Sequence, residues 1–201
     1  MKTARKDKLK KIAEIAAEEA IAAISLPSFP PERVVEYLGV VNYDTTERVM
    51  DEIKEKIITD ADAPVYLVVT SAGGPTGTAM SFYDTMRLVL KPNLVTIGSG
   101  DVDSSGILIF LSGKQRYVTK NTTLLLHLAG RSFDSGKRYT AGEIEAMVRE
   151  DRLKDRQYAS VVAENSRGHL TPEAVFALMQ ENTILTPSDL IRHGLADAVL
   201  A

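Results

Sequence analysis

Residues 65–74 read Val65-Tyr66-Leu67-Val68-Val69-Thr70-Ser71-Ala72-Gly73-Gly74, with Pro64 ahead and Pro75 behind. The unbroken apolar run Val65–Val69 predicts a strand covered on both faces, as in a parallel sheet. The small residues and two glycines end it in a tight turn, and a helix is expected from about Gly77 to Leu90. The rest of the chain repeats this order. Val34 to Val41 reads as a strand, followed by a helix that Thr45 or Thr46 opens and that runs to about Ile58. Leu94-Val95-Thr96-Ile97 is a short strand, Gly98 to Asp103 a loop, and the apolar stretch Ser104 to Leu111 a helix. Tyr117-Val118-Thr119 and Leu124 to His127 read as two strands. Thr140 and Glu143 have capping-box spacing and start a long helix through about Asn165. Thr171-Pro172 and Thr186-Pro187 each set a hydroxyl cap before a proline in the first helical turn. Strands alternating with helices predict an α/β layered domain over residues 32–201.

Residues 1–31 differ. Lys2, Arg5, Lys6, Lys8, Lys10 and Lys11 crowd the start, and Leu9, Ile12, Ala16, Ala20, Ala23 and Ile24 recur at steps of three and four. This predicts an amphipathic helix that stops at Pro27 and runs into a Pro-rich linker. Glu14, Glu18 and Glu19 interrupt it, so it does not read as a secretory signal.

The chain has 201 residues, 44% of them hydrophobic and 25% charged, enough to bury a core without staples. It has no Cys, which excludes disulfides, thiol nucleophiles, iron–sulfur clusters and Cys-based zinc sites. With only His127, His169 and His193 in addition, no metal site or cofactor is expected. A net charge of −3 argues against nucleic acid as the partner. No apolar run approaches the length of a membrane span, and a reducing cytoplasm is the expected location.

Three stretches could carry chemistry. In Gly100-Asp101-Val102-Asp103-Ser104-Ser105-Gly106, a polar segment ends a buried strand and a Ser sits where a helix begins. Free N–H groups at a helix start can hold an oxyanion beside that hydroxyl, although Ser is also the ordinary N-cap. His127 follows three leucines, which suits either a satisfied core His or the general base of a nearby Ser. Gly73-Gly74 lets backbone N–H groups approach a bound atom, or simply makes the strand–helix turn. No Lys follows it in the pattern of a phosphate loop.

Taken together and in order, these stretches resemble ClpP, the proteolytic subunit family of the ATP-dependent Clp protease, from about Val34 to Ala201. Gly73-Gly74 and Tyr83-Asp84-Thr85-Met86 match the family's glycine turn and the helix after it. Lys91-Pro92 and Thr96-Ile97 match the strand leading to its nucleophile. Gly100-x-x-x-Ser104-x-Gly106 matches the nucleophile motif, Asn121 to His127 the strand of the catalytic His, and Leu185-Thr186-Pro187 with Gly194-Leu195-Ala196-Asp197 the C-terminal end. The resemblance implies a ClpP/crotonase-like fold with repeated β-β-α units, plus the N-terminal helix. It selects Ser104 over Ser105 as the nucleophile, His127 as general base, and the N–H groups of Gly74 and Ser105 as the oxyanion hole. It also implies a polypeptide substrate, a heptameric ring or double ring of like subunits, a Clp-type ATPase partner, and a role for the helix after Thr140 in joining rings.

Asn182 stands where the family's triad has Asp. An Asn brings no negative charge to stabilise an imidazolium, and the equivalent change in a Ser-His-Asp triad costs about 10⁴ in kcat. Slow peptidase activity is therefore expected. The alternatives are an inactive structural or regulatory subunit of a mixed ring and a crotonase-type acyl-CoA enzyme. His169 and His193 are expected to have no catalytic role.

Overall fold

A computed structural model describes residues 28–200. The helix expected within residues 1–31 falls outside them up to residue 27. A 3-10 turn, Pro31–Arg33, leads into β1 (Val34–Leu38), and α1 (Tyr43–Thr59), β2 (Val65–Ser71) and α2 (Thr76–Asp84) follow. The last continues as a π turn, Thr85–Leu90, which stops at Lys91 with φ of +50°. Next come β3 (Leu94–Val102), α3 (Gly106–Leu111), β4 (Gln115–Thr119) and β5 (Leu124–Leu125). The chain closes with α4 (Ala141–Glu164), α5 (Pro172–Gln180), β6 (Ile184–Leu185), α6 (Pro187–Arg192) and β7 (Ala198–Leu200). Among the described residues no helix is long and apolar enough to cross a membrane.

The main sheet has the order β1-β2-β3-β4-β7, every pair parallel, and β5 and β6 form a separate antiparallel pair. This is the α/β architecture the alternating text predicts. The run Val65–Val69 is covered less evenly than expected. Val65, Leu67, Val69 and Ser71 are buried, while Tyr66, Val68 and Thr70 are half-buried. The core joins the buried face of β2 to Tyr37, Ile53, Phe82 and all of α3.

Caps set the helix starts. Asn42, not Thr45 or Thr46, caps α1 by accepting from Thr45 N–H at 2.8 Å. Thr46 is instead buried against the Tyr37 hydroxyl, 2.8 Å away. The expected capping box at Thr140 and Glu143 is present, and Thr171 and Thr186 cap their helices ahead of Pro172 and Pro187.

Two segments depart from the sequence reading, and both lead to the site. The expected loop Gly98–Asp103 is strand as far as Val102, because its polar backbone finds a new partner beyond the edge of β4. Thr123 N–H donates to Gly100 O at 3.0 Å and Val102 N–H to Thr123 O at 2.9 Å. The expected strand Leu124–His127 is regular only over Leu124–Leu125, with one further bond from Leu126 N–H to Thr183 O. The far half of β3 thus lies beside the segment that runs to His127.

Candidate active site

Ser104 sits on the turn between β3 and α3. The pairing of β2 with β3 shifts register after Val69, so that Ser71 meets Val102 rather than following on from Gly98. The turn is then tied on both sides: Asp103 N–H donates to Ser71 O at 2.7 Å and Ser104 N–H to Leu125 O at 2.9 Å. Ser104 itself has φ of +54°. For a residue with a Cβ this left-handed conformation costs roughly 1–2 kcal/mol and persists only where the surroundings enforce it. Tyr158 is among the enforcing groups, its buried hydroxyl donating to Ser104 O at 2.8 Å.

The glycine turn lies against this serine. A Cβ on Gly73 would come 2.6 Å from Ser104 Cβ and 3.1 Å from Ser104 Oγ, so only glycine leaves room for the side chain. A Cβ on Gly74 would fall 2.1 Å from Val41 O. Ser105 turns inward and its hydroxyl donates to Gly74 O at 2.9 Å, locking the two segments together. The N–H groups of Gly74 and Ser105 have no acceptor among the described residues. Two unspent donors therefore flank a strained serine, an arrangement suited to an oxyanion.

His127 is half-buried, and its Nδ1 lies 2.7 Å from Leu128 O. A carbonyl only accepts, so Nδ1 is the donor in this bond, which in the neutral ring selects the tautomer with Nε2 free to accept, as a general base needs. Ser104 and His127 line one cleft of about 670 Å³ together with Gly74. No hydrogen bond joins them among the described residues, and base–nucleophile contacts are often loose without substrate. Arg131 stands at the same cleft, its Nε 2.8 and 2.7 Å from the two oxygens of Asp151 and its NH2 2.6 Å from Glu150.

No hydrogen bond joins Asn182 to the imidazole among the described residues, although Leu126 N–H donates to the adjacent Thr183 O at 2.9 Å. Asn182 is exposed, holds φ of +52° in the turn after α5, and its side chain makes no hydrogen bond among the described residues. Asp103, the carboxylate beside Ser104, turns from the cleft to accept Leu125 N–H at 2.9 Å. Burial raises its pKa above the usual carboxylate range, partly opposed by that N–H; Asp101 adds to the rise and His127 opposes it.

Three groups escaped the sequence reading. Tyr158 lies within the long helix expected after Thr140, and no pattern marks a buried phenol as a donor. The Leu128 carbonyl has no sequence signal at all. Asp155, whose Oδ1 accepts from Ala129 N–H at 2.8 Å, steadies the segment after His127 but reads as one charge among many on a long helix.

A model of the family described as Clp protease matches residues 18–201. The ATP-dependent Clp protease proteolytic subunit 2 of Pseudomonas aeruginosa is 30% identical to this chain over 147 residues, covering 70% of the chain and 67% of that protein.

Proposed function

Because the chain belongs to the Clp protease family, we propose that it is a serine endopeptidase acting on peptides or unfolded polypeptides through Ser104. His127 Nε2 takes the hydroxyl proton as Ser104 Oγ bonds to the scissile carbonyl carbon. The charge moves to the carbonyl oxygen, which the N–H groups of Gly74 and Ser105 hold. Collapse breaks the C–N bond, and the imidazolium gives its proton to the leaving amine. Water, deprotonated by the same ring, then releases the acyl group.

The observation that carries this reading is the pair of N–H groups without acceptors beside a serine at φ of +54°. In this scheme Leu128 O orients the ring. Asn182, which the family resemblance casts in that role, contributes little. The imidazolium thus lacks a carboxylate partner, so turnover is slow. A fluorophosphonate probe is expected to label wild-type protein and not Ser104→Ala. Labelling that survives the substitution, or never occurs between about pH 6 and 9, rejects the assignment.

We also propose that the chain works in a ring of like subunits alongside a Clp-type ATPase. The first half of α4 supports an assembled form: Ile144 and Val148 are 47% and 41% exposed on it. The absence of a Ser104–His127 hydrogen bond among the described residues favours a second reading, a structural or regulatory subunit of a mixed ring. Peptide turnover by the purified chain alone decides between the two.

A further inference from the structure

We infer that Tyr158 is a positioning residue that presets the Ser105 N–H of the oxyanion hole through the peptide unit joining Ser104 to Ser105. The inference deepens the peptidase reading above and rests on it. A peptide unit is planar and trans, so the C=O of Ser104 and the N–H of Ser105 point in opposite directions and turn as one body. Tyr158 holds the oxygen at 2.8 Å from the side of α4, and Ile107 N–H adds a second bond at 3.1 Å. With the oxygen pinned inward, the N–H must face the other way, where it has no acceptor.

A restraint is needed here because Ser104 is held in an uphill conformation. If the plane rotated, an acceptor would replace a donor at the position of the developing oxyanion, and the site would repel the charge it should stabilise. Tyr158 suits the task. It is 4% exposed, and its only hydrogen bond among the described residues is the one to Ser104 O. Burial raises its pKa well above that of an ordinary phenol, with the Asp103 carboxylate adding to the effect, so the hydroxyl stays a donor throughout the neutral range. Asp155 lies one turn earlier on the same helix and holds the segment beyond His127. One helix face thus fixes both banks of the cleft, and Tyr158 is the member that reaches the nucleophile.

The test compares wild type with Tyr158→Phe, which keeps the ring and removes only the donor. For turnover, kcat is expected to fall at least tenfold, up to the roughly 10²–10³ lost with a whole oxyanion donor, while KM stays within about twofold. A peptide boronate, whose tetrahedral adduct needs the hole, should lose affinity in step with kcat; an unreactive peptide of the same sequence should not. Crystal structures of the two proteins should show the Ser104–Ser105 peptide rotated or split only in the variant. Tyr158→Leu, which also lacks the hydroxyl, takes its place if Tyr158→Phe does not fold. A variant with kcat and boronate affinity within twofold of wild type overturns the proposal, as does an unchanged peptide plane. If the wild type reacts with no probe and turns over no peptide, the peptidase reading fails, and the peptide plane still decides the role of Tyr158.

Discussion

Asn182 illustrates what one residue decides. Its type removes a charge from the expected triad, and its side chain, exposed in a left-handed turn, makes no hydrogen bond to the imidazole. Restoring the acid therefore puts a carboxylate in solvent, where its effect on a ring held by Leu128 O is screened. Asn182→Asp is expected to raise peptide kcat less than about tenfold, far below the 10⁴ associated with the acid of an aligned triad. Steady-state kinetics on a short fluorogenic peptide measures this, and a rise near 10⁴ would mean that the working conformation swings this turn onto His127. The candidate residues Ser104, His127, Gly74 and Ser105 were legible in sequence because each lies in a short stretch that matches a motif of the family the chain resembles. Tyr158 and the Leu128 carbonyl were not, because their roles come from what they face.

Among the elements, α6 shows how local chemistry fixes a boundary. Thr186 N–H and hydroxyl donate to Asp189 Oδ2 at 3.0 and 2.7 Å, and Asp189 N–H returns a bond to the Thr186 hydroxyl at 3.3 Å. Burial alone would raise the Asp189 carboxyl, but the Thr186 hydrogen bonds, with Arg192 and His193, outweigh it and hold the pKa below the ordinary range. A depressed carboxylate stabilises the fold above its unfolded pKa, near 3.9, and that contribution is lost as pH falls through the folded value. Thr186→Ala is expected to cost about 1 kcal/mol at neutral pH. The gap to wild type should narrow below about pH 4 as Asp189 protonates. Urea unfolding across pH checks both, and a gap that widens in acid contradicts the linkage. Such caps were readable in advance because donor, acceptor and proline lie within four residues. The end of β3 was not, because the partner of Gly100 and Val102 is Thr123, some twenty residues away.

For the whole molecule, Arg116 ties the end of the chain to the sheet. From β4 its guanidinium donates to Leu195 O, Asn165 O, Gly194 O and Asn165 Oδ1, and its backbone N–H donates to Asp197 Oδ2. Burial lowers its pKa to about 10, Arg167 adds to the shift and Asp197 opposes it. Arg116→Ala would strand these buried carbonyls and is expected to cost about 3–5 kcal/mol. Arg116→Lys should recover only part, because an ammonium cannot span the same fork of acceptors. Chemical denaturation reads both, and a loss under about 1 kcal/mol would show that the hub is dispensable. By itself the sequence determined the α/β alternation and the caps at Thr140, Thr171 and Thr186, since these follow from periodicity and residue type over a few neighbours, while the candidate nucleophile, base and glycine turn were picked out by the family's motifs. Only the tertiary structure decided that Ser104 is held in a left-handed turn, that Leu128 rather than Asn182 meets the imidazole, and that α4 grips both sides of the cleft. The hold on Ser104 and the grip of α4 depend on contacts between residues 26 and 54 apart, and the Leu128 carbonyl, though adjacent to His127, is a backbone group common to every residue, so none of these pairings leaves a trace in the order of side chains.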